Sequence, residues 1–328
     1  MIYIGNRYKI IEEIGRGCKS CLYKGKDYYD GQTIIINIID SGVVKSKKFI
    51  SNLIDEATTI NEIDSPNILK IKDVGMYELE DGSEVYYTIN DYIEGSTLEQ
   101  LTKYHRLNIE EIVIILRQLL NALEVAHSYN IYHGCLHPSN ILVDEGYNVK
   151  LSNIGIIKAN NKIFNNGIKH FAKNLNYMCP HQICLGYTDK SSDFYALGII
   201  IFELIFDKHP FGEIDDEEEI LRRMDKGIKW KDFDTEFVPE KILNILEKLL
   251  SRTNRYETPK EVIIDLSHYM YEVENLLDER QNIEVEIECI QDDTTKKVDK
   301  LKKGHKLKKV AAVGLATIVS FLVLGIYI

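Results

Sequence analysis

The chain has 328 residues, 45% hydrophobic and 28% charged, which fits a globular protein with one two-lobed domain or two ordinary domains. Its formal net charge of −11 argues against a nucleic-acid-binding surface, because the largest basic cluster is confined to residues 296–309. Six cysteines predict free thiols in a reducing compartment. The single pair Cys18 and Cys21, without a second pair at ligand spacing, favours ordinary loop or core cysteines over a zinc site.

The N-terminal part of the chain predicts a small β-sheet. Residues 8–40 show three strand patterns, and the third is the apolar run at 34–39. Between the first two strands lies a turn with Gly15 and Gly17. A glycine-rich turn can bring backbone N–H groups close to phosphates, although such turns are common and the pattern alone is weak.

Further elements follow with a clear periodicity. Residues 46–62 have helical spacing of their apolar side chains, and residues 85–92 predict another strand. Residues 109–129 predict a long helix with one apolar face. Asn108 at its start, with Glu111 three residues later, is a typical N-terminal capping pair.

Residues 131–155 combine a β-hairpin with a polar loop on each side. Two short apolar runs, 141–143 and 149–151, flank a turn signal. The loop motifs are His133-Gly134-Cys135-Leu136-His137-Pro138-Ser139-Asn140 and Asn153-Ile154-Gly155. This order resembles the catalytic loop, paired strands and metal-binding loop of Hanks-type (eukaryotic-like) protein kinases, whose motifs are His-Arg-Asp-Leu-Lys-Pro-x-Asn and Asp-Phe-Gly.

The resemblance covers residues 8–272 and implies an α+β, bilobal protein-kinase-like fold. The β-rich small lobe would span 8–93, and the mostly helical large lobe 94–272. The resemblance also implies family positions for an ATP and magnesium site. The nucleotide positions are Gly15, Gly17, Leu22, Ile35, Asn37, Glu56, Asp91, Ile93 and Leu142. The metal positions are Asn140 and Asn153, and the catalytic-base position is Cys135.

Several of these positions carry residues that work against phosphoryl transfer. Asn37 stands where the family has a lysine that holds the phosphates, and an amide does not supply the charge of an ammonium. Ile35 stands where a small alanine would cover the adenine, so we expect it to crowd the ring. Cys135 replaces the aspartate base, and Asn153 replaces the metal-binding aspartate. With the lysine missing, Glu56 is expected to be a solvated helix glutamate.

The sequence also lacks the family's usual regulatory features. Between Ile154 and Tyr187 there is no serine or threonine to phosphorylate, and Gly134 replaces the arginine that would bind the phosphate. His181 stands where a glutamate would brace Arg255, so that brace is expected to be weak. A helix beginning at Asp193 and ending near Phe206 is apolar nearly all round, and the resemblance implies that Asp193 orients the catalytic-loop backbone.

The C-terminal region predicts a membrane anchor. Residues 273–309 form an acidic and then basic juxtamembrane linker, and residues 310–328 carry no charged side chain. As a helix this run would span roughly 28 Å, close to the thickness of a bilayer core. The lysines at 296–309 place the preceding domain in the cytoplasm and would attract anionic lipid. We expect a single-pass protein of the cell membrane.

Together these features predict a membrane-anchored cytoplasmic pseudokinase that needs no cofactor and acts on unidentified protein partners as a scaffold or allosteric regulator. Two alternatives stay open: a Ser/Thr protein kinase that uses ATP and magnesium with atypical residues, and an ATP-responsive switch without turnover. A nucleophilic pair of Cys135 with His133 or His137 would need an oxyanion site that the sequence does not reveal.

Overall fold

The computed structural model describes residues 3–16, 20–41, 44, 48–79, 81–161, 172–185, 188–212 and 214–271. The chain divides into two compact units, Met1–Tyr269 and Met270–Ile328, and nearly all described residues belong to the first. In the part of the chain that is described, no helix is long and apolar enough to span a bilayer. The expected linker and the expected membrane helix at 310–328 lie outside the described residues.

A six-stranded antiparallel sheet dominates the first 91 residues, with the strand order β1-β2-β3-β4-β6-β5. Its strands are β1 Tyr3–Ile4, β2 Tyr8–Arg16, β3 Ser20–Asp27, β4 Thr33–Ile39, β5 Ile71–Glu78 and β6 Glu84–Asp91. The central strand β4 is isoleucine-rich, and Ile34, Ile35 and Ile36 are almost completely buried. A run of β-branched residues buried on both faces favours a strand in the middle of a sheet.

One helix, α1 (Lys48–Glu62), packs on this sheet. Its buried face is formed by Phe49, Leu53, Ala57 and Ile60, at the helical spacing that the sequence shows. Phe49 and Leu53 share a core cluster with Ile39 of β4. The sheet and α1 confirm the predicted strands and helix of the N-terminal part.

The remaining described residues are mostly helical. The helices are α2 Leu98–Tyr104, α3 Ile109–Ser128, α4 Ile156–Asn161, α5 Pro180–Leu185, α6 Lys190–Phe206, α7 Glu217–Lys226 and α8 Glu240–Leu250. Residues 259–271 are helical as well. A small three-stranded sheet joins β7 (Ser96–Thr97) to the predicted hairpin, β8 (Ile141–Val143) and β9 (Val149–Leu151). This sheet-rich N-terminal part and helical remainder fit the predicted bilobal architecture.

Two of these helices show how local sequence sets the helix start. The cap of α3 is the predicted one, because the Asn108 side chain accepts from Glu111 N and the Glu111 side chain accepts from Asn108 N. Helix α6 begins three residues earlier than the predicted start at Asp193. Its cap is Asp189, whose carboxylate accepts hydrogen bonds from the first backbone N–H groups of the helix. Asp193 therefore lies in the first turn of α6 and is not its N-terminal cap.

Candidate nucleotide and catalytic site

Asp193 holds the backbone of the loop that carries Cys135. The Asp193 side chain is fully buried, and its two carboxylate oxygens accept hydrogen bonds from His133 N at 2.9 Å and Gly134 N at 2.7 Å. His127 Nε2 lies 2.8 Å from the same carboxylate. Charge-assisted bonds inside a protein are strong and directional. The structure thus confirms the expected role of Asp193 in orienting this loop.

The two predicted metal-binding residues are brought together, and they bind each other. Asn153 Nδ2 donates to Asn140 Oδ1 at 2.8 Å and to Ser20 Oγ of β3 at 2.9 Å. Asn140 Nδ2 in turn donates to the carbonyl oxygen of Cys135 at 3.0 Å. Asn140 and Ser20 are both buried. The amides therefore form a hydrogen-bonded chain that links β3 to the loop 133–140.

This arrangement does not fit magnesium. Mg²⁺ is normally held by carboxylate oxygens, water and substrate phosphates in a strict octahedral geometry. Here both side chains are neutral amides, and the oxygen of Asn140 already accepts a hydrogen bond from Asn153. Among the described residues, no group of three or more histidine, cysteine or acidic side chains is placed to hold a metal ion.

Side chains at the expected adenine positions pack against one another. Leu22, Ile35 and Leu142 form a buried cluster with Leu69, and each of the four is at most 3% exposed. Ile93, a further predicted nucleotide contact, packs against this cluster. That Ile35 would crowd an adenine ring stays a prediction.

Gly15, near the end of β2, lies close to residues of the expected large lobe. A Cβ atom placed on Gly15 would be 2.7 Å from Thr97 Cγ2 and 3.5 Å from the carbonyl oxygen of Ser139. Strand β2 therefore touches β7 and the turn Pro138–Asn140. Gly17 lies outside the described residues. This close approach leaves no room for a side chain at Gly15 unless Thr97 shifts.

Asn37 does not replace the missing lysine. Its side chain is buried, and Nδ2 donates to Thr88 Oγ1 at 3.4 Å. Thr88 continues the contact to Asn90, and Asn90 Nδ2 donates to the carbonyl oxygen of Lys70. Asp91, another predicted nucleotide position, pairs with Lys72 Nζ at 2.8 Å. Asn37, Thr88 and Asn90 thus form a chain of hydrogen bonds, in which the side-chain oxygen of Asn37 is buried and has no partner among the described residues.

The expectation of a solvated Glu56 is wrong. The Glu56 side chain is only 2% exposed, and its Oε2 lies 3.0 Å from Lys158 Nζ on α4. Lys158 comes from the segment directly after Asn153-Ile154-Gly155, so the cation approaches the glutamate from a different element than the family's strand lysine. Sequence reasoning missed Lys158 because no periodic pattern connects the two residues.

Helix α4 is attached to α1 by more than this ion pair. Asn52 Nδ2 donates to the carbonyl oxygen of Ala159 at 3.1 Å. Ile156 and Ala159 join the core cluster of Phe49 and Leu53. The segment after the Asn-Ile-Gly motif therefore forms part of the packing that positions α1.

His181, which stands where the family has the glutamate of the Arg255 brace, contacts the start of α6. His181 Nε2 lies 3.2 Å from Asp189 Oδ1 and 3.1 Å from Ser192 Oγ. Burial lowers the pKa of His181. The neighbouring Cys179 is buried, and burial raises the pKa of its thiol to about 11. A thiol with so high a pKa is a poor nucleophile at neutral pH.

Cys135, at the catalytic-base position, is disulfide-bonded. Among the described residues, Cys21, Cys179 and Cys184 are free thiols. The prediction of free thiols is therefore wrong for Cys135. The reason is spatial, since cysteine pairing depends on distances that spacing in the chain does not give. A sulfur held in a disulfide is neither a base nor a nucleophile.

His137 is neutral in this site. Its Nδ1 accepts a hydrogen bond from Ser139 N at 3.1 Å, and burial lowers its pKa to about 4. Protonating Nδ1 would remove the acceptor that begins the turn Pro138–Asn140. The histidine thus has a structural place in the loop.

Comparisons with known proteins agree with the fold. The family model "Protein kinase domain" matches residues 8–271. The chain is 28% identical to serine/threonine-protein kinase PrkC of Bacillus subtilis, over 98% of this chain and 52% of that protein. It is 30% identical to probable serine/threonine-protein kinase PknB of Lactococcus lactis, over 81% of this chain and 43% of that protein. The chain spans about half the length of the curated relatives it matches, or less. By this match over most of its length, the chain belongs to the Hanks-type protein kinase family.

Proposed function

We propose that this protein is a pseudokinase, a member of the kinase family that transfers no phosphate and acts by binding protein partners as a scaffold or allosteric regulator. The observation that carries the proposal is the hydrogen bond from Asn153 Nδ2 to Asn140 Oδ1. This bond occupies the side-chain oxygen of Asn140, the one family metal ligand that the chain keeps. Function follows the site and not the fold, so relatives named as kinases do not by themselves make this chain an enzyme.

The loss of reaction rate expected from the substituted catalytic residues supports the same conclusion. A positioned general base contributes about 10²–10⁴ in rate. Kinases turn over at about 1–100 s⁻¹ with base, lysine and metal ligands in place. Here Cys135 is bonded through its sulfur, Asn37 carries no charge and Asn153 replaces a carboxylate. These losses are not additive, but each acts on the same transition state.

The test is a thermal-shift titration of the full chain with ATP, with and without Mg²⁺ or Mn²⁺. A ligand at about 100 times its Kd adds about 2.7 kcal/mol to the free energy of unfolding, which raises the melting temperature measurably. We expect no rise under any condition. The positive control is a variant with Asn37→Lys, Cys135→Asp and Asn153→Asp, which restores the family's charged groups.

Two outcomes would contradict the proposal in different ways. A rise in melting temperature without γ-phosphate transfer would make the protein an ATP-responsive switch. Transfer of γ-phosphate from ATP to a protein substrate, lost in a variant with Asn140→Ala, would make it a Ser/Thr kinase with atypical residues.

The proposal includes anchoring in the cell membrane with the kinase-like domain in the cytoplasm. Its support is the uncharged run at 310–328 and the basic stretch at 296–309, which suits anionic lipid. We expect the full chain to float with vesicles that contain anionic lipid. Ile318→Arg with Leu322→Arg should abolish flotation at high salt, because each arginine costs about 2.5–3.5 kcal/mol at a bilayer centre. Equal flotation of the variant would contradict the anchor.

A further inference from the structure

A groove of about 830 Å³ lies between the end of α6 and helix α7. Its walls are formed by residues 207–212, by one face of α7 and by residues 227–233. The basic side chains that line it are Lys208, Arg222, Arg223, Lys226 and Lys229. The acidic ones are Asp207, Glu219 and Asp232. The groove is therefore positive on balance, in a protein whose formal net charge is −11.

One of the acidic groups is already neutralised by two arginines. Glu219 accepts hydrogen bonds from Arg222 Nε at 2.7 Å and from Arg223 Nε at 2.8 Å. These bonds lower the pKa of Glu219 to about 2. Arg223 Nη1 also donates to the carbonyl oxygen of Phe211 at 2.9 Å, which fixes the guanidinium at the groove wall. A single carboxylate shared by two guanidinium groups leaves a net positive charge.

The three lysines of the groove carry the remaining charge. Lys208, Lys226 and Lys229 are exposed, and none of them forms an ion pair with a described residue. Two acidic side chains, Asp207 and Asp232, oppose them. The lysines outnumber these carboxylates, so the residues that line the groove carry a net positive charge.

The volume of the groove and the side chains that line it indicate which kind of anion it binds. The half-buried Phe233 provides apolar surface beside the charged side chains, and the buried Pro210 and Phe211 form the wall behind them. A volume of about 830 Å³ lies in the range of about 300–1,000 Å³ that holds a ligand of many atoms. An inorganic anion would leave this apolar surface and most of the volume unused. Arginine together with aromatic side chains is typical of protein-binding surfaces.

We infer that this groove binds an acidic peptide segment of a protein partner. The carboxylates of the peptide face Lys208, Lys226 and Lys229, and one apolar side chain lies against Phe233. The inference deepens the proposed function, on which it rests, by stating what kind of partner the pseudokinase holds. Its binding energy is partly electrostatic, so the affinity falls as ionic strength rises.

The test measures binding of a fluorescein-labelled peptide, Glu-Glu-Phe-Glu-Glu-Ile-Glu-Glu, to the full chain by fluorescence anisotropy at low and moderate salt. The groove variant is Lys226→Glu with Lys229→Glu. The control variant is Lys26→Glu with Lys260→Glu, which changes the net charge equally at exposed lysines outside the groove. We expect the groove variant to lose about tenfold or more in affinity and the control variant to stay within about twofold of the unmodified chain.

Further probes separate a peptide site from a simple anion site. A peptide with serine in place of Phe and Ile should bind more weakly, and inorganic phosphate at the same concentration should not displace the labelled peptide. The inference is overturned by equal losses in both variants, by equal binding of the serine peptide, by displacement with phosphate, or by no binding at low salt. Each result is independent of the ATP titration, so failure here leaves the test of phosphoryl transfer unchanged.

Discussion

The ion pair between Lys158 and Glu56 makes a quantitative prediction about the packing of α4 on α1. Lys158→Ala removes the ammonium that lies 3.0 Å from a carboxylate with only 2% side-chain exposure. Breaking a fully buried pair costs about 3–5 kcal/mol, whereas a surface pair is worth about 0–1 kcal/mol. The Lys158 side chain is 34% exposed, so solvent screens part of the interaction. We therefore expect a loss of about 2 kcal/mol in the free energy of unfolding.

The assay is thermal unfolding of the full chain combined with a double-mutant cycle. A loss of about 2 kcal/mol lowers the melting temperature by about 4–8 °C in a domain of this size. Glu56→Gln removes the charge without changing the side-chain volume. The variant with both Lys158→Ala and Glu56→Gln should be less destabilised than the sum of the single changes, with a coupling energy of about 1–2 kcal/mol.

Two controls make the result specific for α4 and α1. Lys190→Ala removes an exposed lysine at the start of α6 and should change the free energy of unfolding by less than about 0.5 kcal/mol. Hydrogen exchange should show faster exchange of the amides of α1 in Lys158→Ala. If Lys158→Ala unfolds like the unmodified chain and the coupling energy is zero, Lys158 does not position α1, and the reasoning is refuted.

Three further predictions concern other parts of the domain. The pKa of His137 is about 4 in the folded chain, below its ordinary value of 6.5. As the pH falls, the unfolded chain therefore binds a proton at His137 before the folded chain does. The free energy of unfolding should therefore fall as the pH is lowered from about 6.5 to 4. In urea titrations His137→Asn, designed so that its amide oxygen accepts from Ser139 N, should reduce this fall. An unchanged pH dependence of the free energy of unfolding would contradict the assignment. Gly198→Ala should cost about 1–3 kcal/mol in urea unfolding, since its Cβ would lie 2.9 Å from Leu250 Cδ2, and unchanged stability would exclude such close packing. Peptide mapping without reductant should find Cys135 in a disulfide, and its alkylation under those conditions would show the bond to be absent.

Much of the fold could be predicted because its signals are local. The cap of α3 needs only Asn108 and Glu111, which lie three residues apart. The hairpin of β8 and β9 needs only two short apolar runs and a turn between them. The order of these elements then indicated the kinase family, and the same register located Asn37, Cys135 and Asn153 at family site positions. Such features depend on residue type and on spacing within one element, which a sequence contains completely.

The chemistry of the site was decided by contacts between distant segments. Asn52 and Ala159, whose hydrogen bond joins α1 to α4, are 107 residues apart, and Ser20 and Asn153 are 133 apart. The sequence predicted a solvated Glu56, since it shows that the strand lysine is missing and does not show which other cation is near. By itself the sequence determined the elements, their order and the substituted site positions. Only the tertiary structure decided that the substituted Asn153 bonds to Asn140 and that Lys158 reaches Glu56, because pairing of polar groups depends on three-dimensional distance and burial.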